Sequence, residues 1–142
     1  MNRVAQFERS LESAERPWKP SPFRARTRRE SLGFALRGLR DAWETQFNLR
    51  LHVYAGLAAV TLGAWLRLSI LEWLWISFAI GLVIFAELMN TAIEQTVDFV
   101  VGERLDPLAR YVKDVAAGFV LVACLIAVVV GSLTFGPHFL VR

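Results

Sequence analysis

The chain has 142 residues, 55% of them apolar and 20% charged, with a formal charge of +3. That length would be one domain in a soluble protein, but long uncharged runs exclude a soluble globule. The basic excess is lopsided: of 16 Lys and Arg, 11 lie in the first 50 residues. A basic head on an apolar body points to anionic lipid, not nucleic acid, as the partner. The single cysteine, Cys124, rules out an intramolecular disulfide and reads as a small buried side chain.

Residues 1–28 are polar, basic and interrupted by Pro17, Pro20 and Pro22. A short helix is expected around Val4–Ala14, and the proline-rich run reads as a linker suited to anionic headgroups. No short apolar core with a small-residue cleavage site opens the chain, so the first spanning helix is expected to direct insertion. Residues 29–47 differ. Leu32, Ala35, Leu36, Leu39, Trp43 and Phe47 recur at helical spacing, with Arg29, Arg37, Arg40, Asp41 and Glu44 on much of the remainder. This is an amphipathic helix, too charged to span and expected to lie in the interface.

Three spans follow. The first, 51–68, is short but strongly apolar and must borrow its flanks to cross a hydrocarbon core that needs roughly 20 residues. The second, 72–101, is uncharged from Trp73 to Ala86 and then turns acidic while its helical pattern persists. At 1.5 Å per residue it extends about 45 Å, so its far end should leave the bilayer. A loop around Pro107 leads to the third, 112–135, which Gly136-Pro137 is expected to end, leaving a tail at 137–142. Trp65, Trp73 and Trp75 read as an aromatic belt, and Gly56, Gly63, Gly81 and Gly118 as close packing points. The resulting fold class is an all-α membrane protein with an amphipathic surface helix and three transmembrane helices. The basic residues divide fourteen to two between the sides. That places the N-terminus and the 102–111 loop in the cytoplasm.

The second span ends Glu87-Leu-Met-Asn90-Thr91-Ala-Ile-Glu94-Gln-Thr-Val-Asp98. Relative to Glu87, helical geometry puts Asn90 at about −60°, Glu94 at about −20°, Asp98 at about +20° and Thr91 at about +40°. All the polar groups share one stripe of an otherwise apolar helix. A carboxylate at membrane depth costs several kcal/mol and is kept for a function or a partner. The structural alternative is a buried Glu87 that pairs Lys113 or an arginine and holds helices together. Of two carboxylates about two turns apart, the one in a low-dielectric place can accept a proton and the one nearer water can hold a divalent metal. With Lys113 to neutralise phosphate, and with Gln46, Asn48, Arg50 and His52 at the entrance of the first span, the set suits phosphoryl transfer to a lipid hydroxyl. A proton-coupled transporter using intramembrane glutamates suits the stripe nearly as well. His52 reads more readily as a headgroup or backbone partner than as a catalyst, and His138, in the tail, has no specific role. No Walker loop, dinucleotide fingerprint or kinase catalytic loop is present.

The run Glu87 to Asp98 followed by Lys113-Asp-Val-Ala-Ala-Gly118 resembles the prokaryotic diacylglycerol kinase family, which includes the undecaprenol kinases. The likeness extends from about Ser31 to Gly131. It implies a multi-pass protein of the bacterial inner membrane, a homotrimer with active sites shared between neighbours at the cytoplasmic face, and a need for ATP and Mg²⁺. It implies Glu87 as general base for the lipid hydroxyl, Asn90 as the group orienting the reactants, and Glu94 as a metal ligand. Asp98, Lys113 and Asp114 would serve the nucleotide. In the best-known branch a surface-helix glutamate joins the metal site, and that place falls here on Gln46, a weaker ligand; Glu44 is about 200° away round a helix. The Asn48-x-Arg50-x-His52 pattern is more similar to the branch containing undecaprenol kinases. Diacylglycerol and undecaprenol both stand as substrates.

Overall fold

The computed structural model describes residues 25, 27–102 and 104–140. The helix expected at Val4–Ala14, the proline-rich segment and Arg142 lie outside these. The described residues form four helices and no strand: α1 (Arg28–Thr45), α2 (Phe47–Leu66), α3 (Ile70–Val101) and α4 (Pro107–Leu140). The chain divides into two compact units, one ending at Leu36 and one beginning at Arg37. In the first, Thr27 and Glu30 cap the start of α1 reciprocally: Thr27 Oγ1 accepts from the Glu30 amide and Glu30 Oε2 from the Thr27 amide.

The second unit carries the three spans. α2, α3 and α4 have 20, 32 and 34 residues and are each long and apolar enough to cross a membrane. α2 begins at Phe47, earlier than expected, because only Gln46 interrupts the helical run after α1. Arg50 holds that break: its guanidinium donates to the carbonyls of Trp43 and Glu44 at 2.8 and 3.1 Å, covering the open C-terminal end of α1 with a cation. Trp43 meets Tyr54 edge to face with centroids 6.0 Å apart.

The connection from α2 to α3 takes three residues. Arg67 adopts a left-handed conformation, φ 57°, and the amides of Arg67 and Leu68 return to the carbonyls of Ala64 and Gly63. Ser69 then caps α3 in a reciprocal box with Glu72. Gly63 lets the turn fold back tightly, since a Cβ there would meet Leu68 Cδ1 at 2.9 Å and Trp73 Cη2 at 3.0 Å. At the other connection Asp106 Oδ1 accepts from the amides of Leu108 and Ala109, and Pro107 is the first residue of α4. The expected loop is therefore partly helix: Asp-Pro is a cap followed by a residue whose missing N–H costs nothing at the first helical position.

α4 also runs on through Gly136-Pro137 to Leu140, where the sequence suggests a stop. Proline so near a helix end forfeits one backbone hydrogen bond. The extra turn gains an anchor, because His138 Nε2 lies 2.8 Å from Glu72 Oε1 on α3. His138 thus has a partner, contrary to the expectation of an idle tail.

α4 packs along α3, and α2 packs on α3 less extensively. One cluster, Leu66, Leu68 and Ile76, closes the Glu72 end against Trp73, Val130 and Phe135; another, Val83, Ala86 and Ala123, joins α3 to α4 at mid-height. The pairs Glu72–His138 and Asp98–Lys113 hold the same antiparallel register at opposite ends. That register puts Glu87 level with Ala123 and Glu94 level with Ala116, both buried and small.

Candidate active site

The polar stripe lies along the last turns of α3, graded from dry to wet. Glu87 is 2% exposed, Asn90 and Thr91 are buried, Glu94 is half-buried and Asp98 is exposed. The gradient follows from α3 outlasting the packing around it: 32 residues make roughly 48 Å of helix, more than a hydrocarbon core of about 30 Å.

Glu87 forms no ion pair among the described residues. The charges that act on it are His52, from α2, and Glu94, two turns along its own helix. Lys113 does not reach it. Its Nζ donates to both carboxylate oxygens of Asp98, at 2.9 and 3.2 Å, and so ties α4 to the wet end of α3. The structural alternative for Glu87, a helix-locking pair with Lys113, is thereby excluded; Asp98 takes that part.

Asn90 Nδ2 donates to Glu94 Oε1 at 3.2 Å. This leaves Asn90 Oδ1 and Thr91 Oγ1 buried with no hydrogen-bond partner. Buried polar atoms are rarely left so. An orphaned amide oxygen next to a partly exposed carboxylate is a pair of hard oxygen donors. Among the described residues no three His, Cys, Asp or Glu side chains converge on a metal position. The donor set still fits Mg²⁺, which is usually held by one or two carboxylates together with substrate phosphates and water.

Gln46 stands apart within the chain. It is the residue preceding α2, and its amide donates to Thr45 Oγ1 at 3.5 Å. Asp114 pairs loosely with Arg110 at 3.7 Å, both exposed. With Asp98, Arg104 and Lys113 they line a cleft of about 440 Å³ beyond the end of α3. One chain therefore brings together Glu87, Asn90 and Glu94, and separately Asp98, Lys113 and Asp114, while Gln46 joins neither group. His52, read from sequence as a headgroup or backbone partner, lies near enough to Glu87 for its charge to act on it. Its signal was the spacing of His52 with Ala55, Gly56 and Ala59, which puts it on the inward face of α2.

A model of the prokaryotic diacylglycerol kinase family matches residues 33–135. A diacylglycerol kinase of Synechocystis is 38% identical over 110 residues, 78% of this chain and 63% of that protein. An undecaprenol kinase of Bacillus subtilis is 40% identical over 108 residues, 76% of this chain and 87% of the relative. A diacylglycerol kinase of Escherichia coli is 30% identical over 110 residues, covering 89% of its length. The chain spans less than two thirds of the Synechocystis protein and most of the other two.

Proposed function

The chain belongs to the prokaryotic diacylglycerol kinase family, and we propose that it is an integral membrane lipid kinase that transfers the γ-phosphate of ATP to the hydroxyl of diacylglycerol or undecaprenol at the cytoplasmic face of the bacterial inner membrane. The observation that carries this reading is Glu87: a carboxyl 2% exposed, without an ion pair among the described residues, at the dry end of a stripe that opens into water. The relatives named above are kinases and lend no support to the proton-coupled transporter that the stripe alone also suits.

Glu87 takes the proton of the lipid hydroxyl as that oxygen attacks the γ-phosphorus and the bond to the bridging oxygen of ADP breaks. Asn90 orients the reacting groups and braces Glu94 through their hydrogen bond. Glu94 and the free amide oxygen of Asn90 would hold Mg²⁺, which when bound neutralises charge on the phosphate oxygens. Lys113, with Asp98 and Asp114 around it, receives the nucleotide. Gln46 completes the metal side from a neighbouring subunit of a homotrimer; within one chain its side-chain nitrogen reaches Thr45 and it joins neither polar group.

The test is phosphorylation of each lipid from radiolabelled ATP by purified Glu87→Gln. Activity should fall by about a hundredfold or more, as expected for loss of a general base, with assembly unchanged. A wild-type rate in this variant would sink the base assignment.

A further inference from the structure

Thr91 stands in the polar stripe without a part in the chemistry described so far. It is 6% exposed, and its hydroxyl has no hydrogen-bond partner among the described residues. Other helical threonines close on their own backbone. Thr45, Thr61 and Thr96 each donate to the carbonyl four residues earlier, at 2.8, 2.8 and 2.7 Å. The matching acceptor for Thr91 is the carbonyl of Glu87, and that bond is not made. Nor can α4 answer the hydroxyl with a side chain, since none from Val115 to Ala123 carries a polar atom. A buried, unpaired hydroxyl lowers stability, and valine offers nearly the same shape without that penalty.

Position gives the hydroxyl a use. Thr91 lies about 6 Å beyond Glu87 along α3 and about 4.5 Å short of Glu94. Round the helix, Asn90 and Thr91 flank the line from Glu87 to Glu94, one on either side. Their two orphaned atoms differ in kind. An amide oxygen only accepts, so Asn90 Oδ1 suits a cation; a hydroxyl can donate, so Thr91 Oγ1 suits an anion. With the attacking oxygen at Glu87 and phosphate charge neutralised at Glu94, the group in transfer passes between them, level with Thr91. A donor fixed in a water-poor site acts strongly on such a charge.

We propose that Thr91 is a catalytic residue whose hydroxyl donates a hydrogen bond to a non-bridging oxygen of the phosphoryl group as that group passes from nucleotide to lipid. Thr91 keeps its own proton. Glu87 still takes the proton of the attacking hydroxyl, and the bond that breaks is still the one to the bridging oxygen of ADP. The proposal rests on the lipid-kinase reading and adds a donor to that site.

The experiment measures kcat, and KM for lipid and for MgATP, with the purified full-length protein in mixed micelles, beside its thermal midpoint and assembly. Thr91→Val should lower kcat about ten- to a hundredfold, the loss of one hydrogen bond to a charged group. Both KM values should stay within about twofold, as expected for a contact made in the transition state. The thermal midpoint should be equal or higher, because an unpaired hydroxyl has been removed. Thr91→Ser, which keeps the hydroxyl, should retain most of kcat. A second readout is the ratio of rates with ATP and with its γ-thio analogue. Sulfur accepts hydrogen bonds weakly, so that ratio should shrink in Thr91→Val. A wild-type kcat in Thr91→Val, an unchanged thio ratio, or a serine variant as slow as the valine one overturns the proposal. A lower midpoint or lost assembly in Thr91→Val would give the hydroxyl to water or to a neighbouring copy and overturns it as well. Wild-type protein that phosphorylates no lipid would refute the kinase reading itself, in an arm that contains no variant.

Discussion

Asn90 and Glu94 divide one hydrogen bond in a telling way. The amide nitrogen is used and the amide oxygen, buried, is left without a partner. An asparagine kept only for packing would satisfy both. Asn90→Leu, close in volume, should therefore preserve the fold but raise the Mg²⁺ concentration needed for half-maximal activity several-fold; an unchanged requirement would remove Asn90 from the metal side. The converse applies to Gln46. Replacing its neutral amide with a carboxylate, Gln46→Glu, should lower the Mg²⁺ requirement, and an equal or higher requirement would mean that this residue does not face the metal. The stripe itself was legible in the sequence, because helical geometry alone aligns Glu87, Asn90, Thr91, Glu94 and Asp98. What each residue pairs with was not. Lys113 could have met Glu87 or Asp98, and only the register of α4 on α3 decides for Asp98. The nearness of His52 to Glu87 was not legible, because the two are 35 positions apart and on different helices.

The helices were legible as runs of apolar residues, and their ends less so. Gly136-Pro137 reads as a stop, yet α4 continues because the distant Glu72 supplies an anchor for His138. Pro107 reads as loop, although Asp106-Pro107 carries a start signal in the sequence itself. The tight connection between α2 and α3 depends on a missing side chain. Gly63→Val places atoms where Leu68 and Trp73 already lie, at 2.9 and 3.0 Å from the first added carbon. It should destabilise the protein by about 1–3 kcal/mol, the range for overpacking, measured as a lower thermal midpoint in detergent. Gly81, where a Cβ meets nothing within 4 Å, is the control and should tolerate alanine.

Across the whole chain, Glu72–His138 and Asp98–Lys113 stand roughly 39 Å apart along α3. That distance brackets a hydrocarbon core of about 30 Å, so both polar pairs fall where water and headgroups begin. Among the described residues no three His, Cys, Asp or Glu side chains complete a metal site on the stripe, and large apolar side chains are exposed, including Phe85, Phe119 and Leu125. Exposed apolar side chains along a span face lipid or another copy. If the homotrimer shares its sites, mixing Gln46→Arg with Glu87→Gln, each inactive alone, should recover part of the activity in hybrid assemblies. No recovery would confine each site to one chain.

The Lys113–Asp98 pair has a consequence for what the nucleotide must be. Lys113 is already engaged, so a phosphate that reaches it must displace a carboxylate. A bare anion gains the cation but offers the exposed Asp98 only water in exchange. A phosphate that arrives with its own divalent ion can satisfy lysine and aspartate together, trading one neutral pair for two. On the proposed reading the resting pair therefore works as a discriminator: metal-free nucleotide should be a poor competitor against its Mg²⁺ complex, and simple anions weaker still.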